Sequence, residues 1–405
     1  MDRTILHSDI NACYASVERL YRPELEGKPF AVCGEQELRH GIILAKDENA
    51  KRAGVKTAMA IWQAKQLCPE LVLVEPHYDR YVKYSDMVRE IYAEYTDLCE
   101  PFGIDECWLD ITNCIACPDA SKTANEIRER VKRETGLTVS VGVSWNKTIA
   151  KLGSDYKKPD VVTVIDREHF RQMVWGLPAD DMLMVGRSTM RTLRRMGINT
   201  IGELAHTDPE ILKARFGKHG LMLYRYANGL DNSRVRRIGE TEPPKSIGNS
   251  MTAAQDIEST EQARLTLLML ADSVASRLRR EKLMCRTVEI SVRNTELEWK
   301  SHRMRLRYAS DVTTELVEYG MELLRECHEF PTPLRSMGLR ALELVHSDEE
   351  QQLDIFIDYV NLNRQRKIDA AVDRIREKYG NTIIQRASIM GDMTPLNFGF
   401  CSLPD

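Results

Sequence analysis

Three acidic residues stand where the chain is expected to change direction, and their types and spacing suit phosphoryl-transfer chemistry. Asp9 ends an apolar, β-rich stretch, and Asp105 and Glu106 follow Gly103 between two strand-like stretches. Hard divalent ions such as Mg²⁺ take oxygen ligands, usually a few carboxylates with phosphate oxygens and water. Two such ions, about 3.5–4 Å apart, can clamp the attacking and leaving oxygens of a nucleotidyl transfer. Because successive strand residues face opposite sides, a shared site requires a turn, which Gly103 permits.

Ordinary structural roles explain the same residues if spacing alone is considered. Asp9 can cap the helix that follows it, and Asp105 and Glu106 can be turn residues.

The C-x-x-C of Cys114 and Cys117 supplies only half of a four-ligand zinc site, and no second pair accompanies it, so we expect no zinc. The ten cysteines are irregularly spaced and are expected to be reduced thiols.

The elements that must position these carboxylates form an alternating pattern of strands and helices. The segment TILHSDINACYASVE begins as a strand and passes through Asp9 into an amphipathic helix. Residues 41–74 indicate strand, helix and strand, and helices are predicted over Tyr81–Tyr95 and Ala120–Thr135, the second ending at Gly136. Strands CEPFGIDECWLDIT, LTVSVGVS and VVTVI complete an α/β layered domain with a mixed or antiparallel sheet.

The second half of the chain predicts further modules. Residues 167–231 indicate short helices broken by glycines, and the stretch from Asp231 to Lys245 contains prolines that would stiffen a tether. Residues 246–345 give the order β-α-β-β-α-β of a split βαβ module. An acidic loop follows, then a helix over Asn363–Tyr379 and a loose end. The fold class is therefore α+β with several domains.

Length, composition and charge limit the classes of protein. A chain of 405 residues suggests roughly two to four domains. With 42% hydrophobic and 29% charged residues, no bilayer-length apolar run and no secretion signal, a cytoplasmic protein without a membrane anchor is expected. The net charge of −4 argues weakly against a nucleic-acid coat protein, but local clusters matter more. Basic clusters that favour nucleic acid occur at Lys147 to Lys158, Arg191 to Arg195, Arg234 to Arg237, Arg277 to Lys282 and Arg303 to Arg307.

Two segments resemble the active-site motifs of Y-family DNA polymerases. They are LHSDINACYASVE and GIDECWLDIT. The first family motif has a metal-binding Asp, an aromatic gate, an Ala and a Val-Glu pair, matched here by Asp9, Tyr14, Ala15, Val17 and Glu18. The second is matched by Ile104, Asp105, Glu106, Trp108, Leu109 and Asp110. NKTIAKLGSDYKKP and KSIGNSMT are similar to two further family segments, and the resemblance runs from residue 4 to about 390.

The resemblance implies the architecture of a right-hand polymerase. The expected domains are a palm (1–22 and 76–166), small fingers (23–75), a helical helix-hairpin-helix thumb (167–231), a linker (232–245), a βαββαβ little finger (246–345) and a C-terminal clamp-binding segment with a tail (346–405). It also implies template-directed DNA synthesis, with low-fidelity bypass of damaged template bases in DNA repair. No exonuclease module is recognisable, so synthesis without proofreading is expected.

The resemblance also assigns roles to residues of the reaction centre. Asp9, Asp105 and Glu106 are the expected catalytic residues and, with the Ile10 carbonyl, the ligands of two Mg²⁺ ions, for which Mn²⁺ is a substitute. Tyr14 is the expected steric gate, which excludes ribonucleotides by leaving no room for a 2′-hydroxyl. The expected nucleotide-binding residues are Cys13, Tyr14, Lys51 and Lys158.

The resemblance implies three partners, which are primer–template DNA, deoxynucleoside triphosphates and a sliding clamp. The chain is expected to be a monomer. Gly186 and Gly197 would let backbone N–H groups approach DNA phosphates. Arg303, Arg305 and Arg307 alternate along one strand and would share a DNA-facing side. Gln352, Leu353, Ile355 and Phe356 resemble the clamp-binding peptide of bacterial polymerases, although the same residues can begin the next helix.

Several positions depart from the family pattern. Asn11 replaces a second Asp, Cys13 replaces a Phe, and Gly103 replaces a Ser. The triphosphate-contacting Tyr and Arg of the family fall at Glu48 and Lys51, so Glu48 would repel a triphosphate unless it is turned away or paired, for example with Arg52. Weaker nucleotide affinity is expected.

Two other classes of function compete with a polymerase. A catalytically weak or inactive scaffold would bind DNA and the clamp, but retention of all three carboxylates speaks against it. A nucleotide cyclase also uses two metals, but would not explain the helix-hairpin-helix and basic-sheet modules.

Overall fold

The computed structural model describes residues 3–35, 41–115, 117, 119–349, 358–381 and 383–389. These residues form two compact units, the first comprising 3–34 and 42–241 and the second mainly the residues from Glu242 onward. Within the described ranges, no helix is both long enough and apolar enough to span a bilayer. Strands β1–β12 and helices α1–α14 are numbered in chain order.

The first unit is built on a five-stranded sheet. Its strands are β1 (Ile5–Ile10), β5 (Cys99–Phe102), β6 (Glu106–Asp110), β7 (Val139–Ser144) and β8 (Val162–Val164). They lie in the order β5-β6-β1-β7-β8, and every pair is antiparallel except β7–β8. The sequence predicted a mixed or antiparallel sheet, and the parallel β7–β8 pair makes it mixed. This is the sheet that carries the candidate carboxylates.

Helices cover both faces of this sheet. They are α1 (Cys13–Tyr21), α4 (Tyr78–Ala93), α5 (Ala120–Thr135) and α6 (Lys147–Tyr156). The side chains of β1 alternate between the two faces, as in any strand. Leu6 and Ile10 pack in the apolar core with α4 and α5, whereas Ile5 packs with Ala150 of α6. Helix α6 was not assigned from the sequence, and it lies on the same face as Asp9.

A small sheet precedes α4 in the chain. It contains β2 (Phe30–Cys33), β3 (Ile43–Lys46) and β4 (Val72–Val74), which lie in the order β3-β2-β4. Helices α2 (Glu48–Arg52) and α3 (Ile61–Leu67) connect β3 to β4 along the chain. Strand β2 is an addition to the predicted strand, helix and strand. Ala45 of β3 packs in one cluster with Ala12 and Ala15 beside the first helix. This contact places the sheet beside the start of α1.

Short helices follow, as predicted. They are α7 (Phe170–Val174), α8 (Arg187–Arg195), α9 (Ile201–His206), α10 (Pro209–Phe216) and α11 (Lys218–Ala227). Their apolar core includes Trp145 and Ile149 from the first sheet's α6 region. The first part of the predicted tether after Asp231 is hydrogen-bonded to the first unit. Arg236 N–H donates to the Glu100 carboxylate at 3.0 Å, and Ile238 N–H donates to the Asp97 carbonyl at 2.9 Å.

The second unit has the predicted order β-α-β-β-α-β. Its elements are β9 (Ser246–Ile257), α12 (Thr260–Arg280), β10 (Leu283–Asn294), β11 (Trp299–Ser310), α13 (Thr313–Cys327) and β12 (Leu334–His346). The four strands are antiparallel in the order β11-β10-β12-β9 and share one apolar core with both helices.

Helix α14 (Tyr359–Tyr379) is attached to the second unit by charge. Arg279 pairs with Asp373 at 2.6 Å, and buried Asp369 accepts the Thr313 N–H at the start of α13. The predicted clamp peptide at Gln352, Leu353, Ile355 and Phe356 lies outside the described residues.

Candidate active site

Two abutting strand ends bring the predicted carboxylates together. Strands β1 and β6 are antiparallel, and Asp9 lies directly opposite Glu106 in their register. Residues directly opposite in such a pair have Cβ atoms about 4.5–5.5 Å apart on the same face. Asp105 ends the turn that leads into β6, and its carbonyl accepts the Ile10 N–H at 2.9 Å. The pairing therefore places all three carboxylate residues at one end of the two strands.

The turn at Gly103 makes this arrangement feasible. Gly103 has φ +80°, in the left-handed region that residues with a Cβ rarely adopt. A Cβ at this position would lie 3.6 Å from Asp105 Oδ1, so the objection to a side chain here is conformational more than steric. The predicted need for a turn at Gly103 is confirmed.

Two lysines of one region meet two of the carboxylates. Lys158 Nζ lies 2.7 Å from Asp9 Oδ2 and 2.7 Å from Asp155 Oδ1. Lys151 Nζ forms an ion pair with Glu106 Oε2. Both lysines are partly buried, so their charges are only weakly screened by water. The basic α6 region thus neutralises the acidic strand ends.

The environments of the three carboxylates separate their pKa values. Burial raises the pKa of Asp9 to about 7, against the opposing effect of Lys158. Burial, with the neighbouring Glu106 charge, also raises the pKa of Asp105. Burial acts in the same direction on Glu106, but the contacts from His7 and Lys151 outweigh it and lower its pKa to about 2. Glu106 is accordingly the most readily ionised of the three.

The donor set fits hard divalent cations. Carboxylate oxygens are the ligands that Mg²⁺ prefers, and burial, which raises the pKa of Asp9 and of Asp105, disfavours their charged forms in a way that a bound cation would offset. As the side chains stand, the described part of the chain holds no group of three His, Cys, Asp or Glu arranged to bind a metal. Since Lys158 and Lys151 contact Asp9 and Glu106 directly, their ammonium groups must move for oxygens to coordinate.

The predicted gate residue stacks on a buried tyrosine. Tyr14 is the second residue of α1, and its ring stacks on Tyr81 with centroids 4.2 Å apart and planes 9° apart. Tyr81 donates a hydrogen bond of 2.7 Å to fully buried Glu18, which also pairs with Arg80. Glu18 of the first motif therefore fixes the tyrosine that supports Tyr14.

Two departures from the family pattern have structural explanations. The Asn11 amide donates to Thr138 Oγ1 and accepts from Ser140 Oγ, so it ties the end of β1 to β7. The Cys13 side chain is buried in the core of the first sheet, and burial raises the pKa of its thiol. The Cys13 thiol is therefore closed off from solvent.

The two α2 residues at the family's triphosphate-contacting positions pair with each other. Lys51 Nζ lies 3.3 Å from Glu48 Oε1 across one helical turn, and both side chains are about half exposed. Glu48 is therefore paired with Lys51, whereas Arg52 was the partner suggested from the sequence. Lys51 would have to break its ion pair with Glu48 before its ammonium group could bind a phosphate.

The predicted DNA-contacting residues are accessible within their own units. Gly186 precedes α8 and Gly197 follows it, and a Cβ added to either would meet nothing within 4 Å. Arg303, Arg305 and Arg307 alternate on β11 and are exposed, as the strand period requires. Four arginines of the α8 region, Arg187, Arg191, Arg194 and Arg195, line a surface cavity of about 520 Å³ with Asp180 and Met190.

Sequence reasoning did not single out His7, Lys151 or Ser154. His7 lies two residues before Asp9 on β1, and strand periodicity places both on one face. Lys151 and Ser154 lie one turn apart on α6, the helix beside that face. Two signals in the sequence could have identified them. His7 lies two strand residues before Asp9 and so shares its face, and the helical spacing in NKTIAKLGSDYKKP places Lys151 and Ser154 on one side of a helix.

Comparison with family models agrees with this geometry. The impB/mucB/samB family model matches residues 8–155, and the model of its C-terminal domain matches residues 244–355. A model described as the thumb domain of DNA polymerase-iota matches residues 180–231. The matched segments thus include the carboxylate site, the helical region and the second unit.

Similar proteins extend over nearly the whole chain. A protein named DNA polymerase IV from Acetivibrio thermocellus is 45% identical over 393 residues, which is 97% of this chain and 98% of that protein. DNA polymerase IV of Clostridium acetobutylicum is 33% identical, covering 96% of this chain and 99% of the relative. DNA polymerase IV 1 of Bacillus subtilis is 36% identical, covering 96% and 93%.

A solved structure of a Y-family DNA polymerase chimera has the same fold. It superposes with a TM-score of 0.73 at 21% identity and covers 85% of this chain and 99% of its own. The right-hand architecture with palm, thumb and little finger is therefore confirmed. The motifs, the family models and the extensive identity to relatives together establish that this chain belongs to the Y family of DNA polymerases.

Proposed function

We propose that Asp9, Asp105 and Glu106 are the catalytic residues with which this chain performs template-directed DNA synthesis and bypass of damaged template bases. The chain is a DNA-directed DNA polymerase, as its relationship to DNA polymerase IV proteins and its Y-family domains indicate. The observation that supports the choice of residues is the register of β1 and β6, which sets Asp9 opposite Glu106 beside the Asp105 turn.

Y-family DNA polymerases use divalent metal ions, and we take Mg²⁺ to be the ion here, with Mn²⁺ as a substitute. Asp9, Asp105, Glu106 and the Ile10 carbonyl would hold two ions. When bound, two such ions stabilise the negative charge that develops on the transferred phosphoryl group and its neighbouring oxygens. The chain itself supplies the carboxylate residues, whose backbone positions are set by the β1–β6 pairing and the adjoining turn before the substrate arrives.

Lys158 and Tyr14 would position the incoming deoxynucleoside triphosphate. Lys158 is partly buried beside Asp9, so its ammonium group can exchange a carboxylate for a phosphate oxygen over a short distance. Tyr14 is held flat against Tyr81 and cannot easily move aside. A rigid ring under the sugar would exclude a 2′-hydroxyl. Lys51 would contribute a second, more exposed charge.

Primer–template DNA would be held through its backbone. Open glycines on either side of α8 and the arginine row of β11 offer N–H groups and positive charge that suit the phosphate backbone, which is the same in every sequence. A polymerase that copies any template needs this sequence-independent contact. We also propose that the chain acts as a monomer and that residues 352–356 bind a sliding clamp.

The clamp proposal has its own test. Deletion of residues 352–356 should abolish stimulation by a purified sliding clamp and leave clamp-independent extension unchanged. Stimulation that survives the deletion would refute the assignment of this peptide.

The catalytic proposal is tested by primer extension. Wild type and the Asp105→Ala/Glu106→Ala variant are compared on a primed template with Mg²⁺ and four deoxynucleotides, and DNA binding is measured by fluorescence anisotropy. Only the wild type should extend, while both bind DNA. The matched control is Glu126→Gln on α5, which removes a surface carboxylate that accepts a hydrogen bond from Tyr95. This variant should extend the primer as the wild type does. DNA binding without extension by the wild type would favour a non-catalytic scaffold.

A further inference from the structure

His7 is a buried imidazole in contact with the carboxylate site. It lies on β1 two residues before Asp9 and is fully buried. Its Nδ1 lies 2.8 Å from Ser154 Oγ, and its Nε2 lies 3.3 Å from Glu106 Oε2. Nε2 has no hydrogen-bond partner within the described ranges, and the carboxylate oxygen 3.3 Å away is close enough to become one after a small adjustment.

The neighbours of His7 fix the orientation of its ring. The ring of Trp108, opposite His7 in the β1–β6 register, packs edge-on against it with centroids 5.1 Å apart and planes 62° apart. Trp108 is itself held by a 3.0 Å hydrogen bond from its indole N–H to the Lys147 carbonyl. The imidazole therefore cannot turn away from Glu106 without disturbing the sheet.

Ser154 leaves the hydrogen on Nδ1 of His7 undecided, so the contact with Glu106 decides whether Nε2 carries one. Ser154 Oγ lies 2.8 Å from both His7 Nδ1 and the Lys151 carbonyl, but it has one proton to donate. If Nδ1 alone carried hydrogen, the Nε2 lone pair would face a carboxylate oxygen at 3.3 Å, which is repulsive. The other neutral tautomer and the doubly protonated ring both place a hydrogen on Nε2.

We propose that His7 is a positioning residue whose Nε2–H donates to the Glu106 carboxylate and holds it in the orientation that coordinates metal. This inference rests on the proposed function, because it gives a partner to a carboxylate assigned as a ligand. Hydrogen-bonding partners of ligating carboxylates set ligand orientation, and their removal typically lowers metal affinity or activity by about 10- to 100-fold.

Two substitutions of similar size separate the two nitrogens. In His7→Gln the amide lies as many bonds from Cβ as Nε2 does, so a donor towards Glu106 is retained. In His7→Asn the amide corresponds to Nδ1, so the contact with Ser154 is retained and the donor towards Glu106 is lost. Ser8→Ala is the control, because Ser8 is equally buried on the opposite face of β1, where its hydroxyl accepts from Tyr92.

Metal binding is measured without catalysis. Mn²⁺ affinity is determined by electron paramagnetic resonance in the presence of a dideoxy-terminated primer–template and the next nucleotide, so that no bond can form. His7→Asn should weaken Mn²⁺ binding about tenfold. His7→Gln and Ser8→Ala should stay within about threefold of wild type. Thermal melting of all four proteins separates this effect from general loss of stability.

The outcomes distinguish the inference from the proposed function. Equal Mn²⁺ affinity in His7→Asn and His7→Gln, with a wild type that binds Mn²⁺ and extends primers, would overturn the role of His7 alone. A wild type that neither binds Mn²⁺ at this site nor extends primers would overturn the proposed function and this inference together. Recovery of affinity in His7→Gln but not in His7→Asn would support the inference.

Discussion

Gly142 should be one of the most sensitive small residues of the first unit, because α6 packs directly on its backbone. A Cβ built at Gly142 would lie 1.9 Å from the Ala150 carbonyl oxygen and 2.4 Å from the Ser154 nitrogen. Ordinary contact begins at 3.4 Å, so Gly142→Ala must displace α6 from β7 by about 1.5 Å. The same helix carries Lys151 and Ser154, which contact Glu106 and His7.

The expected result has two parts. Overpacking of this kind destabilises by about 1–3 kcal/mol, which urea denaturation measures. A misplacement of about 1 Å near the reaction centre can lower turnover about 100-fold, which single-turnover extension at saturating nucleotide measures.

Gly153→Ala is the matched comparison for Gly142→Ala. Its Cβ would approach the Gly142 Cα at 3.0 Å, a much smaller overlap, and alanine is favoured over glycine inside a helix by about 1 kcal/mol. This variant should lose little stability and less than tenfold in turnover. If Gly142→Ala were as stable and as active as the wild type, the close contact between α6 and β7 would not control the site.

Three further variants test other parts of the chain. Tyr14→Ala removes the ring that stacks on Tyr81, and incorporation of ribonucleotides relative to deoxynucleotides should rise at least about tenfold in single-nucleotide assays; an unchanged ratio would refute the gate. Replacing Arg303, Arg305 and Arg307 with Gln should reduce the salt dependence of DNA binding, with the slope of log K against log salt falling by about 0.9 for each lost phosphate contact, and an unaltered slope would remove β11 from the interface. Burial, with the neighbouring Glu318 charge, raises the pKa of Glu315 to about 7, so the folded state loses stability as pH rises from the unfolded pKa towards 7. Glu315→Gln should therefore stabilise by about 1.5 kcal/mol at pH 8, after allowance for partial exposure, and less at pH 5; equal effects at both pH values would contradict this.

Local patterns predicted the long elements well. Helix α5 runs over Ala120–Thr135 and ends at left-handed Gly136, as expected from its C-terminal glycine. Helix α12 runs over Thr260–Arg280, where apolar periodicity predicted it. In both helices the periodic pattern and the end signals agree, so tertiary contacts did not have to act against the local preference for a helix.

Other features depend on contacts between distant parts of the chain. Glu100 accepts from Arg236 across a large separation in sequence, so nothing local indicated that the predicted tether begins bound to β5. Strand β2 is a run of four apolar residues, which periodicity alone cannot distinguish from a buried helical segment. Helix α6 contains Gly153, which weakens a helical pattern and lies close to Gly142 of β7.

The candidate site shows the same division. Strand ends and a glycine turn made a shared site of Asp9, Asp105 and Glu106 feasible, and the resemblance to Y-family motifs assigned it; the register of β1 and β6 brings the three residues together. The partners of these carboxylates did not follow, because His7, Lys151 and Lys158 reach them from a neighbouring strand position and from the α6 region.

The most direct test of the central claim is the single-turnover rate of Asp105→Asn on primer–template at saturating DNA. The substitution keeps the shape of the side chain, and the carbonyl that accepts the Ile10 N–H belongs to the backbone, so the turn should remain intact. We predict that the rate falls about 1,000-fold, equivalent to ~4 kcal/mol, while DNA affinity is unchanged. A rate within about tenfold of the wild type would contradict the assignment of Asp105 to a two-metal polymerase centre.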